Sequence, residues 1–171
     1  MDPFFLYPSP AGELVLSFHD GALSGLWFSD QKNLPPETRR GGARLPLPDS
    51  WDVSRWLDAY FRGENPAWRP PLFLDGTPFR LAVWNILLEI PYGERMTYGQ
   101  VAEKVRIRLG AARMSAQAAG SAVGRNPVSI IVPCHRVVSA GGGLGGYAGG
   151  LRRKELLLRH ESAEGGACVF G

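Results

Sequence analysis

The sequence predicts a protein of the mixed α/β (α+β) class, with an N-terminal domain over residues 1–76 and a C-terminal domain over residues 77–161. Two apolar runs on either side of an Asp-Gly turn predict a β-hairpin in the N-terminal half. In the C-terminal half, capped segments with helical periodicity, joined by a basic connection, predict a helix-turn-helix arrangement. Residues 162–171 are expected to form a frayed tail.

The N-terminal domain is expected to combine the hairpin with one helix. The hairpin turns at Asp20-Gly21, and the helix is capped by Asp49 or Ser50. A polar segment rich in Pro and Gly separates the two and is typical of a surface loop. The predicted elements are the hairpin over Glu13–Phe28, the loop over 29–48, the helix over Asp49–Gly63 and a short extended piece at Leu72–Leu74.

Four helices are predicted in the C-terminal domain. Thr77 caps the first, Pro78 occupies its first position, and Pro91 ends it. Thr97 and Gln100 have the spacing of a capping box at the start of the second. The predicted helices span Thr77–Gly93, Thr97–Val105, Met114–Gly124 and Leu151–Glu161.

The third of these helices consists almost entirely of small residues after its cap, Ser115. So little side-chain volume cannot anchor a large core, but it allows the helix to approach another surface closely. On the last helix, the leucines (Leu151, Leu156, Leu157 and Leu158) are expected to face inward, and Arg152, Arg153 and Lys154 are expected to stay in solvent.

Charge is distributed unevenly along the chain. The net charge is +3, yet residues 1–90 carry 8 Lys/Arg against 11 Asp/Glu, and residues 91–161 carry 11 Lys/Arg against 4 Asp/Glu. A concentration of basic charge is typical of a surface that binds a polyanion, although a solvated surface has the same composition. No apolar stretch is long enough to span a membrane, and the N-terminus lacks the basic region of a signal peptide, which favours an intracellular protein.

The sequence VSIIVPCHRVV, residues 128–138, brings a thiol and an imidazole together after an apolar run. The run predicts a buried strand, ended by Pro133, that presents Cys134 to a pocket. His135, acting directly or through a water, could take the thiol proton, and Glu161 could orient the imidazole, as in a catalytic triad. The alternative is a buried structural thiol. Cys168 lies in the tail and is taken as incidental, and two distant cysteines predict neither a disulfide framework nor a metal site.

Read together, GRNPVSIIVPCHRVV and the following GGYAGGLRRKELLLRHE resemble the signature of the O6-alkylguanine-DNA alkyltransferases, or methylated-DNA–protein-cysteine methyltransferases. The resemblance extends from about Thr77 to Glu161, and residues 1–76 are compatible with it. It implies a ribonuclease H-like N-terminal domain. It also implies a winged-helix-like helix-turn-helix domain that carries the active-site cysteine.

The resemblance implies a DNA repair protein that flips O6-alkylguanine, and O4-alkylthymine, out of duplex DNA. Its alkyl group would pass irreversibly to Cys134 in a single turnover. The implied catalytic residues are Cys134, His135, Glu161, Asn126 and Tyr147. The implied base pocket is formed by Val137, Tyr147 and Ala148, with the carbonyls of Cys134 and Val137 as acceptors. The implied contacts to the DNA minor groove are Tyr98, Arg113, Ser115, Gln117, Ala118 and Arg125.

Two features depart from the family pattern. Gln117 stands where the family commonly has an arginine that fills the gap left by the flipped base, and Arg113 could partly substitute for it. Family members with zinc bind it through N-terminal Cys and His, and no cysteine precedes Cys134 here. The resemblance therefore implies no metal and no cofactor, and a monomer in the cytoplasm, associated with the nucleoid through DNA.

Three other functions fit parts of the sequence. A lesion-binding protein of the alkyltransferase-like type would recognise alkylguanine without removing the group, but such proteins lack the cysteine. A Cys–His hydrolase or thiol redox protein would turn over at Cys134, or pair it with Cys168. A plain helix-turn-helix regulator would bury Cys134 and not respond to alkylated DNA.

Overall fold

A four-stranded sheet forms the N-terminal part of the computed structural model, which describes residues 2–40, 42–162 and 169–170. The strand order is β3-β2-β1-β4, with β1, β2 and β3 antiparallel and the short β4 parallel to β1. The elements of this part are β1 (Phe4–Ser9), β2 (Gly12–His19), β3 (Ala22–Phe28), α1 (Pro36–Arg39), β4 (Arg44–Pro46) and α2 (Asp52–Phe61).

The predicted hairpin is confirmed as β2 and β3, and its turn has positive φ at Asp20 (47°) and Gly21 (81°). The predicted loop over 29–48 is only partly correct, because it contains α1 and β4. β4 was not predicted because its residues are exposed and carry no alternation of apolar and polar side chains. It is extended because it pairs with β1, which is a tertiary effect.

α2 begins three residues later than predicted. Its N-cap is Trp51, with no side-chain cap, so the prediction that Asp49 or Ser50 caps the helix is wrong. The Trp51 amide instead donates to the Pro48 carbonyl (3.1 Å), and the Ser54 hydroxyl donates to the same oxygen (2.7 Å). The helix buries its apolar residues, among them Trp56, Leu57 and Tyr60.

The C-terminal part contains four helices and a two-stranded parallel sheet. Both predicted caps of the first two helices are present: Thr77 accepts from Arg80 N, and Thr97 and Gln100 form a capping box. The Trp84 indole donates to Ala122 O (2.9 Å) and ties the first helix to the third. The elements are α3 (Pro78–Leu87), β5 (Met96–Thr97), α4 (Tyr98–Leu109), α5 (Ala116–Val123), a 3₁₀ turn (Cys134–Arg136), β6 (Val137–Val138) and α6 (Leu151–Ser162).

The C-terminal ends of α3 and α4 differ from the prediction by several residues. α3 stops at Leu87 and not at Pro91, because Glu89 N and Ile90 N bond three residues back and tighten the chain into turns. α4 continues four residues past Val105 and stops at Gly110, whose φ of 64° provides a left-handed cap.

The charged face of α6 was predicted wrongly. Lys154 is fully buried, the Arg153 side chain is only 20% exposed, and Leu151 is 53% exposed. Lys154 shares a helix face with Leu157 and Leu158, which lie three and four residues further on and are buried. The helix packs into the protein along this face, so the lysine is drawn into the interior.

One apolar core extends from the sheet through α2 to α3, α4 and α5, and the predicted mixed α/β class is confirmed. In the predicted tail, Phe170 packs against Phe61 and His160 (ring centroids 5.5 and 5.1 Å), so this part is attached to the core. Cys168 lies outside the described residues. No helix in the part of the chain that the structure describes has both the length and the apolar character to cross a membrane.

Candidate active site

The apolar run before Cys134 is buried, but the prediction that it forms a strand is wrong. Residues 128–132 form successive turns, with one isolated bridge from Val128 to Leu26. Ile130 has φ of 70°, a conformation that β-branched residues rarely adopt and that lies outside the β region. The run therefore reaches the cysteine through a series of turns and not as an extended strand.

The Asn126 side chain takes the place of a neighbouring strand for this segment. Its Nδ2 donates to Val128 O (3.2 Å) and Val132 O (2.8 Å), and its Oδ1 accepts from Val128 N (3.0 Å). These three bonds link the two ends of the segment, and the bond from Val128 N pairs a buried backbone amide. The two carbonyls also accept from backbone amides, Val128 O from Val132 N (3.1 Å) and Val132 O from Cys134 N (2.8 Å). Asn126 thus holds the segment that carries Cys134.

Cys134 lies in the 3₁₀ turn and borders a cavity of about 590 Å³. The thiol residue is 7% exposed, so the cavity gives it a narrow opening to the surface. Six of the residues predicted to form the site line this cavity: Tyr98, Gln117, Asn126, Cys134, Tyr147 and Ala148.

Behind the cysteine, His135 and Glu161 form a buried pair. His135 Nε2 lies 2.7 Å from Glu161 Oε1, as the sequence predicted. An ionised carboxylate only accepts hydrogen bonds, so Nε2 carries a proton and Nδ1 is left as the basic nitrogen. Nδ1 is buried and has no hydrogen-bond partner among the described residues.

Two further residues hold Glu161 and were not predicted. Arg136 donates from Nε and Nη2 to the carboxylate (2.9 Å each) and from Nη1 to Ile90 O (2.6 Å). The Tyr60 hydroxyl, from α2, donates to Glu161 Oε1 (3.1 Å). Arg136 directly follows the Cys-His pair, and a buried carboxylate calls for a cation, so it could have been found. No local signal relates Tyr60 to a residue 101 positions away.

Burial alone would raise the pKa of Glu161, but the charges and hydrogen bonds of His135 and Arg136 lower it from 4.5 to about 2. The carboxylate therefore stabilises the fold above about pH 4.5, and this contribution is lost as the pH falls toward 2.

We expect the free energy of unfolding to fall by about 3 kcal/mol through this group over that acid range. Urea titrations at a series of pH values would measure it, with Glu161→Gln as the reference, because glutamine cannot titrate. The difference in stability between the two proteins should shrink as the pH falls. A difference that stays constant from pH 5 to pH 2 would contradict this expectation.

The pKa of the Cys134 thiol depends on its burial and on the side chains around it. Burial raises the pKa of Cys134, and the Asn126 side chain and the positive charge of Lys154 oppose this rise only in part. The resting cysteine is therefore a neutral thiol at pH 7, and it needs a base before it can act as a nucleophile.

Lys154 is a buried cation whose charge acts on the Cys134 thiol. Its Nζ donates to Val137 O (2.6 Å) and Gly146 O (3.0 Å), and it lies 3.5 Å from the Tyr98 hydroxyl. Burial lowers the pKa of Lys154 to about 8, while the negative charge of Cys134 would raise it. The lysine joins three segments of the site, and the sequence prediction missed it.

Tyr147 and Ala148 lie on the glycine loop, residues 139–150. The Tyr147 hydroxyl is buried and has no hydrogen-bond partner among the described residues. Burial, and next the negative charge that Cys134 carries once it is ionised, raise the pKa of Tyr147 well above its usual range. The phenol therefore stays protonated and can donate a hydrogen bond to a bound molecule. Val137, predicted for the base pocket, is fully buried and is not among the residues that line the cavity.

The predicted DNA-contact residues cluster around α5. Ser115 caps this helix by accepting from Ala118 N (3.0 Å), and Gln117 is exposed at the cavity edge. Arg113 and Arg125 are exposed on either side of α5, and Arg125 borders a second, open groove. The small residues let the Tyr98 ring lie close to α5, since a Cβ at Gly120 would meet it at 3.3 Å.

The described part of the chain contains no candidate metal site. No group of three or more His, Cys, Asp and Glu side chains there is arranged to hold a metal ion.

Fold and site together define a class of protein: a mixed α/β protein whose helical C-terminal part carries a buried cysteine followed directly by a histidine that pairs with a buried glutamate. The chain belongs to the methylated-DNA–protein-cysteine methyltransferase family, as the sequence predicted. Residues 78–163 match the family model described as 6-O-methylguanine DNA methyltransferase, DNA binding domain.

Relatives with this name extend over nearly the whole chain. The Methanosarcina acetivorans methylated-DNA–protein-cysteine methyltransferase is 39% identical over 94% of this chain and 98% of its own length. The Mycobacterium leprae protein of the same name is 46% identical over 90% of this chain and 88% of its own. The crystal structure of Mycobacterium tuberculosis OGT in complex with DNA has a TM-score of 0.80 and 38% identity, and covers 98% of this chain and 99% of that chain.

Proposed function

We propose that this protein repairs DNA by transferring the alkyl group of O6-alkylguanine, and of O4-alkylthymine, irreversibly to its own Cys134. It would act as a methylated-DNA–[protein]-cysteine S-methyltransferase that works once per molecule. The observation that carries the proposal is the cysteine at the wall of a cavity of about 590 Å³, which is large enough to admit a base, together with the buried His135–Glu161 pair. The names of its relatives support the same reaction.

In the proposed reaction, His135 Nδ1 takes the thiol proton through a water, and Glu161 stabilises the imidazolium. The Cys134 sulfur then attacks the alkyl carbon, forming a C–S bond as the bond from carbon to O6 breaks. The leaving guanine recovers the electron pair of that bond and takes up one proton, which balances the proton removed from the thiol. A thioether has no leaving group, so the cysteine is not regenerated.

The glycine loop would hold the base during this step. The Tyr147 phenol donates to the purine and the Ala148 amide points at O6, so charge on the leaving base is stabilised by fixed donors. The carbonyls of Cys134 and Val137 would accept from the exocyclic amine. Each already accepts one bond, from Val137 N and Lys154 Nζ respectively, and a carbonyl has a second lone pair.

Duplex DNA would bind at α5, in the minor groove. Extruding the base costs a few kcal/mol, which contacts to the strand must offset. Gln117 would bond to the orphaned base, Ala118 and Ser115 would lie against the groove, and Arg113 and Arg125 would contact phosphates. The protein would act as a monomer in the cytoplasm, associated with the nucleoid.

The direct test incubates the protein with a duplex containing O6-methylguanine and records the intact protein mass. The expected result is one added methyl per molecule, located on the Cys134 peptide, with no adduct from undamaged duplex. Tight lesion binding without an adduct would indicate a lesion-binding protein instead. Release of many demethylated duplexes per protein molecule would exclude a single-use mechanism.

Tyr98 provides a test of base flipping. Its side chain is half-buried between α5 and the glycine loop, where its hydroxyl donates to Gly146 O (3.4 Å). We expect Tyr98→Ala to slow transfer from methylated duplex by about 10²-fold, the effect of losing precise positioning. Transfer from free O6-benzylguanine, which needs no extrusion, should slow much less. Single-turnover rates for the two substrates measure this, and equal slowing would show that Tyr98 has no role in flipping.

A further inference from the structure

Arg153, the third residue of α6, reaches across to the N-terminal sheet. Its Nε donates to Ala11 O (2.7 Å), and its two terminal nitrogens pair with the two Asp30 carboxylate oxygens (2.7 and 3.0 Å). The guanidinium also lies 4.4 Å from the centroid of the Phe28 ring. Such a fork of directed bonds combined with stacking suits arginine and cannot be reproduced by lysine. We call Arg153, Asp30, Ala11 and Phe28 the interdomain latch.

The turn between β1 and β2 is shaped around this guanidinium. Gly12 has φ of 129°, and a Cβ there would lie 2.5 Å from Arg153 Nη2. Any larger residue would push the arginine out of place, so the close approach depends on the glycine.

The latch also contacts the glycine loop. Arg153 Nη1 donates to Gly149 O (3.2 Å), and a Cβ at Gly149 would lie 2.6 Å from the Phe28 ring. Phe28 further meets the Tyr147 ring edge to face, with centroids 6.3 Å apart. One arginine and one phenylalanine therefore connect the N-terminal sheet to the two loop residues that flank Ala148.

Beside these contacts, the glycine loop borders an open groove. Asp30, Gln31, Lys32 and loop residues 145–150 line this groove, which has a volume of about 430 Å³, so packing against the loop is incomplete there and the latch supplies additional contacts. Lys154 holds the loop at Gly146 from the other side. Between these two anchors lie Tyr147 and Ala148.

We infer that Arg153 is a positioning residue, through which the N-terminal domain sets the base-binding loop for alkyl transfer. The inference rests on the proposed function for its substrate, and it gives residues 1–76 a part in the reaction. The Asp30 carboxylate is 66% exposed, so its charge alone contributes little. The less exposed bonds to Ala11 and Gly149 and the Phe28 contact are expected to contribute more.

The test compares Arg153→Ala and Arg153→Lys with Arg152→Ala, which removes the neighbouring exposed arginine of the same helix. We expect Arg153→Ala to slow transfer from free O6-benzylguanine by about 10- to 10²-fold, because displaced donors lose their alignment with the base. Arg153→Lys should recover only part of this rate, and Arg152→Ala should match the wild type. Alkylation of the Cys134 peptide by iodoacetamide needs no base pocket and should change less than about twofold.

Amide hydrogen exchange provides a readout that does not depend on substrate. In Arg153→Ala, exchange at residues 145–150 should accelerate while exchange in α3 and α4 stays unchanged. Wild-type rates with O6-benzylguanine, an equal loss of iodoacetamide reactivity, or unchanged loop exchange would each overturn the latch. A wild type that accepts no alkyl group from either substrate would defeat the proposed function, and the exchange data would still decide the latch.

Discussion

Cys134→Ser is expected to abolish methyl transfer from O6-methylguanine in duplex DNA. A serine hydroxyl is a far weaker nucleophile than a thiolate, and the His135–Glu161 pair cannot lower its pKa enough to compensate. Cys134 is 7% exposed at the cavity wall, so the oxygen occupies the same place without supplying the same chemistry. Intact mass after incubation with the methylated duplex should show no adduct.

Two controls separate lost chemistry from lost structure. Cys168→Ser removes the other cysteine of the sequence and should accept one methyl as the wild type does. Cys134→Ala leaves no buried hydroxyl in need of a partner, and it should bind the methylated duplex with wild-type affinity. A methyl adduct on Cys134→Ser, or full activity in Cys134→Ala, would place the acceptor elsewhere.

Glu161→Ala is expected to cause the largest loss of stability, about 3–5 kcal/mol, because it leaves the charge of Arg136 buried without its partner. The carboxylate accepts from Arg136, His135 and Tyr60, and all three side chains are buried. Urea unfolding measures the effect. Glu161→Gln keeps the volume and part of the hydrogen bonding, so it should lose less.

Glu161→Ala should also slow alkyl transfer in the molecules that remain folded. Without the carboxylate at Nε2, the His135 ring loses its tautomer preference, and its positive charge is no longer stabilised. Loss of a general base lowers the rate by about 10²-fold or more. Transfer should be measured well below the unfolding midpoint. A Glu161→Gln protein with wild-type stability and wild-type rate would show that the carboxylate serves neither purpose.

Much of the site could be predicted because its signals are local. Caps at Thr77, Thr97 and Ser115 depend on side chains bonding to amides three residues away, and each was predicted correctly. Asn126 and Cys134 belong to one short segment that closes on itself. Glu161 could be reached because it lies on a recognisable helix that directly follows the glycine loop.

The errors have a common cause. Hydrophobicity predicts burial but not backbone conformation, so the buried residues 128–132 were predicted as a strand when they coil around the Asn126 amide. In the same way, charge predicts exposure only when no buried acceptor is available. Lys154 finds two buried carbonyls, Val137 O and Gly146 O, and therefore lies inside.

The sequence by itself determined the caps at Thr77, Thr97 and Ser115, the hairpin, the Cys134-His135 pair and the family to which the chain belongs, because these depend on neighbours along the chain. Only the tertiary structure decided that Tyr60 reaches Glu161, that Lys154 is buried, and that Arg153 joins the N-terminal sheet to the glycine loop. Tyr60 and Glu161 are 101 positions apart in the sequence, and Asp30 and Arg153 are 123 positions apart. No pattern in the sequence encodes such pairs, because each exists only once the packing of the sheet and helices has brought its two partners together.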